Sequence, residues 1–158
     1  VYKIIFKKQK GSLDANKLKE LGIMPGPFYR ELKEADTFEF NGKVYNSSEF
    51  LSEDKPEKEI SIIPDTRYFG GLGEFVKNSN IIISECTYLL KEDAHHARKN
   101  YHLSILDIEK IISRSKVESL YLTHISARYD RNIEKEAIES LRDKCNVKIA
   151  HDLEEYSL

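Results

Sequence analysis

The spacing of hydrophobic positions changes along this chain. Val1–Lys8 is dense in strand formers (Tyr2, Ile4, Ile5, Phe6) and runs into Lys10-Gly11-Ser12, so the pattern predicts a strand followed by a turn. Asp14 is placed to cap a short helix over Ala15–Leu21 that stops at Gly22. Met24-Pro25-Gly26-Pro27 admits no regular element, because two prolines around a glycine fix an extended, turning loop. Thr37–Tyr45 alternates about Asn41-Gly42, the signal of a two-residue hairpin. Ser47–Glu59 is polar and reads as loop.

From Glu59 onward the period alternates between strand and helix. Glu59–Ile63, Asn80–Ser84, Val117–Leu122 and Val147–Ala150 are short apolar runs of buried-strand type. Between them Gly70-Gly71-Leu72-Gly73 reads as a flexible turn, followed by a short helix to about Lys77, and Ala94–Asn100 reads as helix. A further helix over Ile105–Ser113 is capped by Ser104, with Ile105, Ile108, Ile111 and Ile112 on one face. Ile133–Leu141 is another amphipathic helix, and Leu153–Leu158 a short tail. This alternation predicts an α/β layered domain. Polar residues recur just past the strand ends (Asp65, Glu85, His124, His151-Asp152), the edge at which α/β sheets bind ligands.

Composition adds limits. At 158 residues, with 33% charged and 40% hydrophobic positions, the chain is sized for one soluble domain with its own core. No apolar run approaches membrane-spanning length and no secretory leader opens the sequence, so no membrane association and a cytoplasmic location are expected. Cys86 and Cys145 lie in separate segments without CxxC spacing and read as reduced thiols. The first residue is Val, already inside strand-like sequence, so a piece of a longer protein is expected. Residues 1–35 carry eight Lys/Arg, among them Lys7 and Lys8, against four acids, in a chain of net charge −2. Such a segment suits a local polyanion contact; a lysine-rich strand edge also resists aggregation.

Asp65, Glu85 and His124 each follow a predicted strand and can converge on one edge, with His102 just before the helix capped by Ser104. Asp and His are zinc ligands, zinc activates water near neutral pH, and a His beside a Glu can be held as general acid or base. The plainer readings are a turn aspartate, a salt-bridged Glu85, a packing His102 and solvated His95 and His96. HExxH, Walker, GxSxG and zinc-finger spacings are absent, so these residues allow a metal hydrolase without requiring one.

Six segments, in order and across essentially the whole chain, narrow the choice. Leu122-Thr123-His124-Ile125-Ser126-Ala127-Arg128-Tyr129 resembles the LTHIS-x-RY motif of ribonuclease Z, and Asp65-Thr66-Arg67 resembles that family's DTR. Ser84-Glu85-Cys86-Thr87-Tyr88 looks like its HEATF segment, and Tyr101-His102-Leu103-Ser104 falls where its HST lies. Leu21–Tyr29 resembles the LGI-x-PGP-x-Y stretch of its arm, and Ala150-His151-Asp152-Leu153 its closing AHDL.

The resemblance implies the C-terminal half of a metallo-β-lactamase αβ/βα sandwich, an α/β fold, with an inserted flexible arm at about 11–50 and a catalytic half at about 58–158. It implies two zinc ions, Asp65 bridging them and His124 binding one. His102, oriented by Glu85, would protonate the 3′-oxygen leaving group or position the scissile phosphate. A zinc-activated water would attack the phosphorus after the discriminator nucleotide of precursor tRNA, leaving a 3′-hydroxyl on the tRNA and a 5′-phosphate on the trailer. The arm, with Gly26 and Pro27, would grip the tRNA elbow by shape, and the basic Lys7 and Lys8 just before it would also contact the substrate. Arg128 would contact backbone phosphates or pair with a local acid such as Asp130. The resemblance also implies a homodimer.

The sequence departs from the family in two ways. The HxHxDH motif and a further ligand His are absent, which truncation explains. Ser84 and Cys86 replace His and Ala, and Leu103-Ser104 replaces Ser-Thr, while Glu85 and His102 remain. Asp65 and His124 alone do not hold two zincs, so the isolated chain is expected to be inactive. The alternatives are another phosphodiesterase of the same fold and a non-catalytic half that binds RNA or a catalytic partner.

Overall fold

In the computed structural model, which describes residues 1–156, the chain runs β1 (Tyr2–Phe6), α1 (Ala15–Glu20), α2 (Phe28–Glu34), β2 (Thr37–Phe40), β3 (Lys43–Asn46) and β4 (Lys58–Ile63). It continues through α3 (Leu72–Phe75), β5 (Ile81–Glu85), α4 (Ala94–Asn100), α5 (Ile105–Ile112), β6 (Ser119–Thr123), α6 (Arg131–Glu139) and β7 (Asn146–Ile149). Short 3₁₀ turns lie at Ser47–Phe50 and Lys91–Asp93. The end of the expected 153–158 tail lies outside the described residues. The chain divides into two units, Val1–Phe6 with Lys58–Leu158, and Lys7–Glu57; the arm expected at about 11–50 falls within the second.

The larger unit is a mixed sheet in the order β1-β4-β5-β6-β7, with β1 antiparallel to β4 and the other pairs parallel. Register places Ile63, Ile82, Leu120, Leu122, Val147 and Ile149 on one face. That face meets Leu72 and Val76, the Ile105/Ile108/Ile111/Ile112 stripe of α5, and Ala137 and Leu141. Each fully buried Leu or Ile there contributes roughly 1.5–3 kcal/mol of transfer free energy. The opposite face is thinly covered. Ile60, Ile81 and Tyr121 form a small cluster with Ile62, Ile83 and Tyr156, while Tyr2 and Ile4 on the same face are exposed.

Two local readings change. The α6 helix begins at Arg131, before the first apolar position Ile133, because the Asp130 side chain caps it by accepting from the Asn132 and Ile133 amides. Asp130 is therefore a cap, and the Arg128 guanidinium pairs instead with Asp93 at 3.8 Å. The β6 strand begins at Ser119 rather than Val117.

The smaller unit packs α1, α2 and the β2–β3 hairpin about Leu18, Ile23, Leu32, Phe38 and Phe50. Phe38 stacks on Tyr45 at 5.4 Å and meets Phe50 edge-on at 5.5 Å. The hairpin turn has Asn41 at φ 51° and Gly42 at φ 71°, as the Asn-Gly signal implies. The α2 helix is unforeseen: Pro27 sits at its cap with helical φ −52°, so the Pro-Gly-Pro loop starts a helix as well as breaking the chain. The segment after β3 is also more ordered than a polar loop, since Phe50 turns inward and β4 starts at Lys58.

Candidate active site

The parallel strands bring their C-terminal ends to one edge, and the loops there carry the polar residues. Asp65 follows β4, Glu85 closes β5 and His124 follows β6. The α4 helix ends at Tyr101 in a left-handed conformation (φ 62°), and His102 comes next. Asp65, His102 and His124 each offer a ligand atom, and these atoms lie within 4.8 Å of one another. His124 Nε2 is 3.6 Å from Asp65 Oδ2, and the His102 and His124 rings stack at 5.2 Å. His124 has φ 55°, a left-handed conformation that stores on the order of 1 kcal/mol in a non-glycine residue.

Glu85 lies beneath this group, fully buried. Its Oε1 accepts from the Thr66 amide (3.0 Å), the Leu103 amide (3.0 Å) and His102 Nδ1 (3.3 Å). Its Oε2 accepts from the Thr87 amide (3.1 Å) and the Thr87 hydroxyl (2.9 Å). One side chain thus ties the turn after Asp65, the loop after β5 and the segment holding His102. With Nδ1 turned to Glu85, His102 presents Nε2 to the edge, the arrangement of a carboxylate-oriented ligand or proton donor.

A metal fits these residues. One carboxylate and two imidazoles are the donor types zinc takes, and a 3.6 Å gap between two donors matches ligands each about 2.0–2.2 Å from a shared ion. Side-chain exposures of 59% for Asp65 and 48% for His124 leave the edge open to solvent and substrate. Three donors are fewer than a dizinc pair needs.

Sequence reasoning named Asp65, Glu85, His102 and His124, and the structure gathers all four. Arg128 lies on the loop after His124, donating to Ser126 Oγ (3.2 Å) and lying over the Tyr88 ring at 5.1 Å. His151 and Asp152 line an open groove with His124 and Ser126. Lys7, Lys8, Gly26 and Pro27 belong to the smaller unit. There Gly26 and Pro27 are exposed, and Lys8 pairs with Asp54 at 3.0 Å. That ion pair and the Gly11 amide hold the Asp54 carboxyl below its usual range. The unit as a whole is not basic, with nine Lys/Arg against ten Asp/Glu, so the positive balance of residues 1–35 is offset by later acids. Sequence reasoning missed Asp93, whose carboxylate accepts from the Tyr129 hydroxyl (2.6 Å), and the placement of Arg67 over the Tyr101 ring at 5.4 Å. Both cysteines are free; burial raises the Cys86 thiol well above its usual range, which suits an inert packing residue.

The fold is that of a metallo-β-lactamase protein. The metallo-beta-lactamase fold protein YhfI from Bacillus subtilis superimposes with a TM-score of 0.50 at 24% identity, over 59% of this chain and 37% of that one. Within that class the chain is homologous to ribonuclease Z. It is 35% identical over 159 residues to Ribonuclease Z of Staphylococcus haemolyticus, and 32% identical over 157 residues to those of Bacillus thuringiensis and Bacillus cereus. Each match covers 98% of this chain and 51% of the relative, so the chain spans about half the length of the curated relatives it matches. No protein-family model matches it. Among the described residues, no helix is long and apolar enough to cross a membrane.

Proposed function

We propose that this chain is the C-terminal half of a zinc-dependent endoribonuclease that removes the 3′ trailer from precursor tRNA, leaving a 3′-hydroxyl on the tRNA and a 5′-phosphate on the trailer. The observation that carries the reading is the Asp65–His102–His124 group at the strand edge, with buried Glu85 under His102, in a chain whose relatives are ribonuclease Z proteins. Asp65 and His124 would hold zinc, which when bound supplies an activated water and charge to the phosphoryl oxygens. Glu85 fixes the His102 ring so that Nε2 can give a proton to the departing 3′-oxygen, or position the scissile phosphate. The thinly covered sheet face supports a further layer of protein, from which the remaining ligands would come. The Lys7–Glu57 unit, through Gly26, Pro27, Lys7 and Lys8, would hold the tRNA body, and Arg128 a backbone phosphate. Homodimerisation and a cytoplasmic setting rest on the family resemblance.

The test is cleavage of a 3′-extended precursor tRNA by the full-length protein with zinc. His102→Ala is expected to lower kcat by about 10²–10⁴-fold, and Asp65→Ala to abolish turnover together with zinc binding measured by calorimetry. The 158-residue chain alone is expected to be inactive. Hydrolysis of bis(p-nitrophenyl) phosphate without cleavage of the precursor would replace this reading with a small-molecule phosphodiesterase. Hydrolysis of neither would leave a partner half.

A further inference from the structure

Beside the candidate metal group lies a feature that zinc chemistry does not use. Tyr101 is 63% exposed, although it immediately precedes His102. It caps α4 at φ 62°, ψ 36°, the left-handed position that glycine or asparagine usually takes. A bulky aromatic there is strained, and such strain is kept where the side chain has a task. Arg67, two residues past Asp65, lies over the Tyr101 ring at 5.4 Å. Among the described residues Arg67 has no acidic partner. The neighbouring Phe69 and Tyr68 are also exposed, at 46% and 37%. Lys110 Nζ lies over the Tyr68 ring at 5.3 Å. Cations interleaved with exposed aromatic rings make the kind of surface on which single-stranded nucleic acid stacks.

We infer that Arg67 and Tyr101 form a platform on which an unpaired RNA nucleotide next to the scissile bond stacks, Tyr101 taking the base and Arg67 a flanking phosphate. The inference rests on the nuclease reading and deepens it by naming what holds the single strand at the site. The chain itself links platform and chemistry: Tyr101 is bonded to His102, and Arg67 follows the Thr66 amide that donates to Glu85. A base on this ring therefore sits in a fixed relation to the proton donor. Stacking reads the face of a base, so this contact is tolerant of trailer sequence.

Replacing Tyr101 by glycine separates binding from folding, because glycine relieves the left-handed strain while deleting the ring. In the full-length protein with zinc, Tyr101→Gly is expected to raise KM for precursor tRNA roughly 5- to 150-fold, the loss of one base–aromatic stack. Its melting temperature is expected to stay level or rise. Tyr101→Phe keeps the ring and is expected to keep KM. Arg67→Ala is expected to lower the salt slope of binding by about one counterion. A second readout uses precursor RNAs carrying 2-aminopurine on one or the other side of the cleaved bond, bound in chelator so that no cleavage occurs. The wild-type protein is expected to quench one of them and Tyr101→Gly neither. An unchanged KM in Tyr101→Gly, or quenching that survives loss of the ring, overturns the platform while leaving the nuclease intact. A wild-type protein that cleaves bis(p-nitrophenyl) phosphate but no precursor RNA overturns the nuclease reading, and RNA as the occupant with it.

Discussion

Two neighbouring parallel strands, β4 and β5, each deliver an acidic side chain to the same edge, and the two are held in opposite ways. Glu85 is fully buried and accepts five hydrogen bonds, from Thr66, Leu103, His102 and twice from Thr87. The Asp65 side chain is 59% exposed, and the basic group it faces is His124 at 3.6 Å. A buried carboxylate is tolerable when N–H and O–H dipoles replace its water, and Glu85 has that replacement. Its acceptor capacity is used up by the protein, which suits it to hold other groups still. Asp65 retains acceptor capacity, so a cation can be added there without breaking a protein hydrogen bond. The edge thus separates a buried carboxylate saturated by protein donors from an open one with acceptor capacity to spare, although both are strand-end carboxylates.

The largest effect expected is that exchanging each for alanine moves different quantities. Glu85→Ala strands the Thr66, Thr87 and Leu103 amides in a buried place, and each such group costs about 1–3 kcal/mol. A loss of roughly 4 kcal/mol is expected in urea unfolding of the full-length protein. Asp65→Ala is expected to stay within about 0.5 kcal/mol of wild type, while zinc affinity collapses. Glu85→Gln keeps one acceptor oxygen and places an amide against the Thr87 donors, so an intermediate loss is expected. If Asp65→Ala unfolds the protein as readily as Glu85→Ala, the distinction between the two carboxylates fails.

The contrast also marks what could be read in advance. The strand ends were legible because short apolar runs stop at polar residues, a pattern that by itself puts Asp65, Glu85 and His124 on one edge. His102 was legible through its motif. The environment of Glu85 was not, because three of its five donors are backbone amides, which leave no mark in a sequence. The partner of Arg128 was misplaced for a related reason: Asp130 is nearest in sequence but serves as the α6 cap, and Asp93 arrives from the turn before α4. The α2 helix was hidden by proline, which ends helices in a pattern reading yet also begins them. The open ring of Tyr101 depends on a left-handed backbone that no tyrosine announces.

Asp93 offers a smaller way to sharpen the comparison, as a carboxylate intermediate between the other two. It accepts from the Tyr129 hydroxyl at 2.6 Å and joins the loop after His124 to the turn before α4, the helix that ends next to His102. Burial first, and then the hydrogen bond and charge of Asp93, push the Tyr129 phenol above its ordinary value, with Arg128 opposing. A folded pKa raised in this way gives stability that is fully present below the unfolded value near pH 10 and is lost as pH rises through the folded one. Tyr129→Phe is therefore expected to cost about 1 kcal/mol at neutral pH, and its deficit relative to wild type is expected to shrink above about pH 10. A deficit that stays constant to pH 11 would mean that the hydroxyl is not held as the 2.6 Å contact implies. Zinc affinity of the same variant places Asp93 on the scale. A fall in affinity along with stability makes the Tyr129 clamp part of what holds His124, as Glu85 holds His102. A fall in stability alone leaves His124 fixed by the end of β6 and its own left-handed backbone.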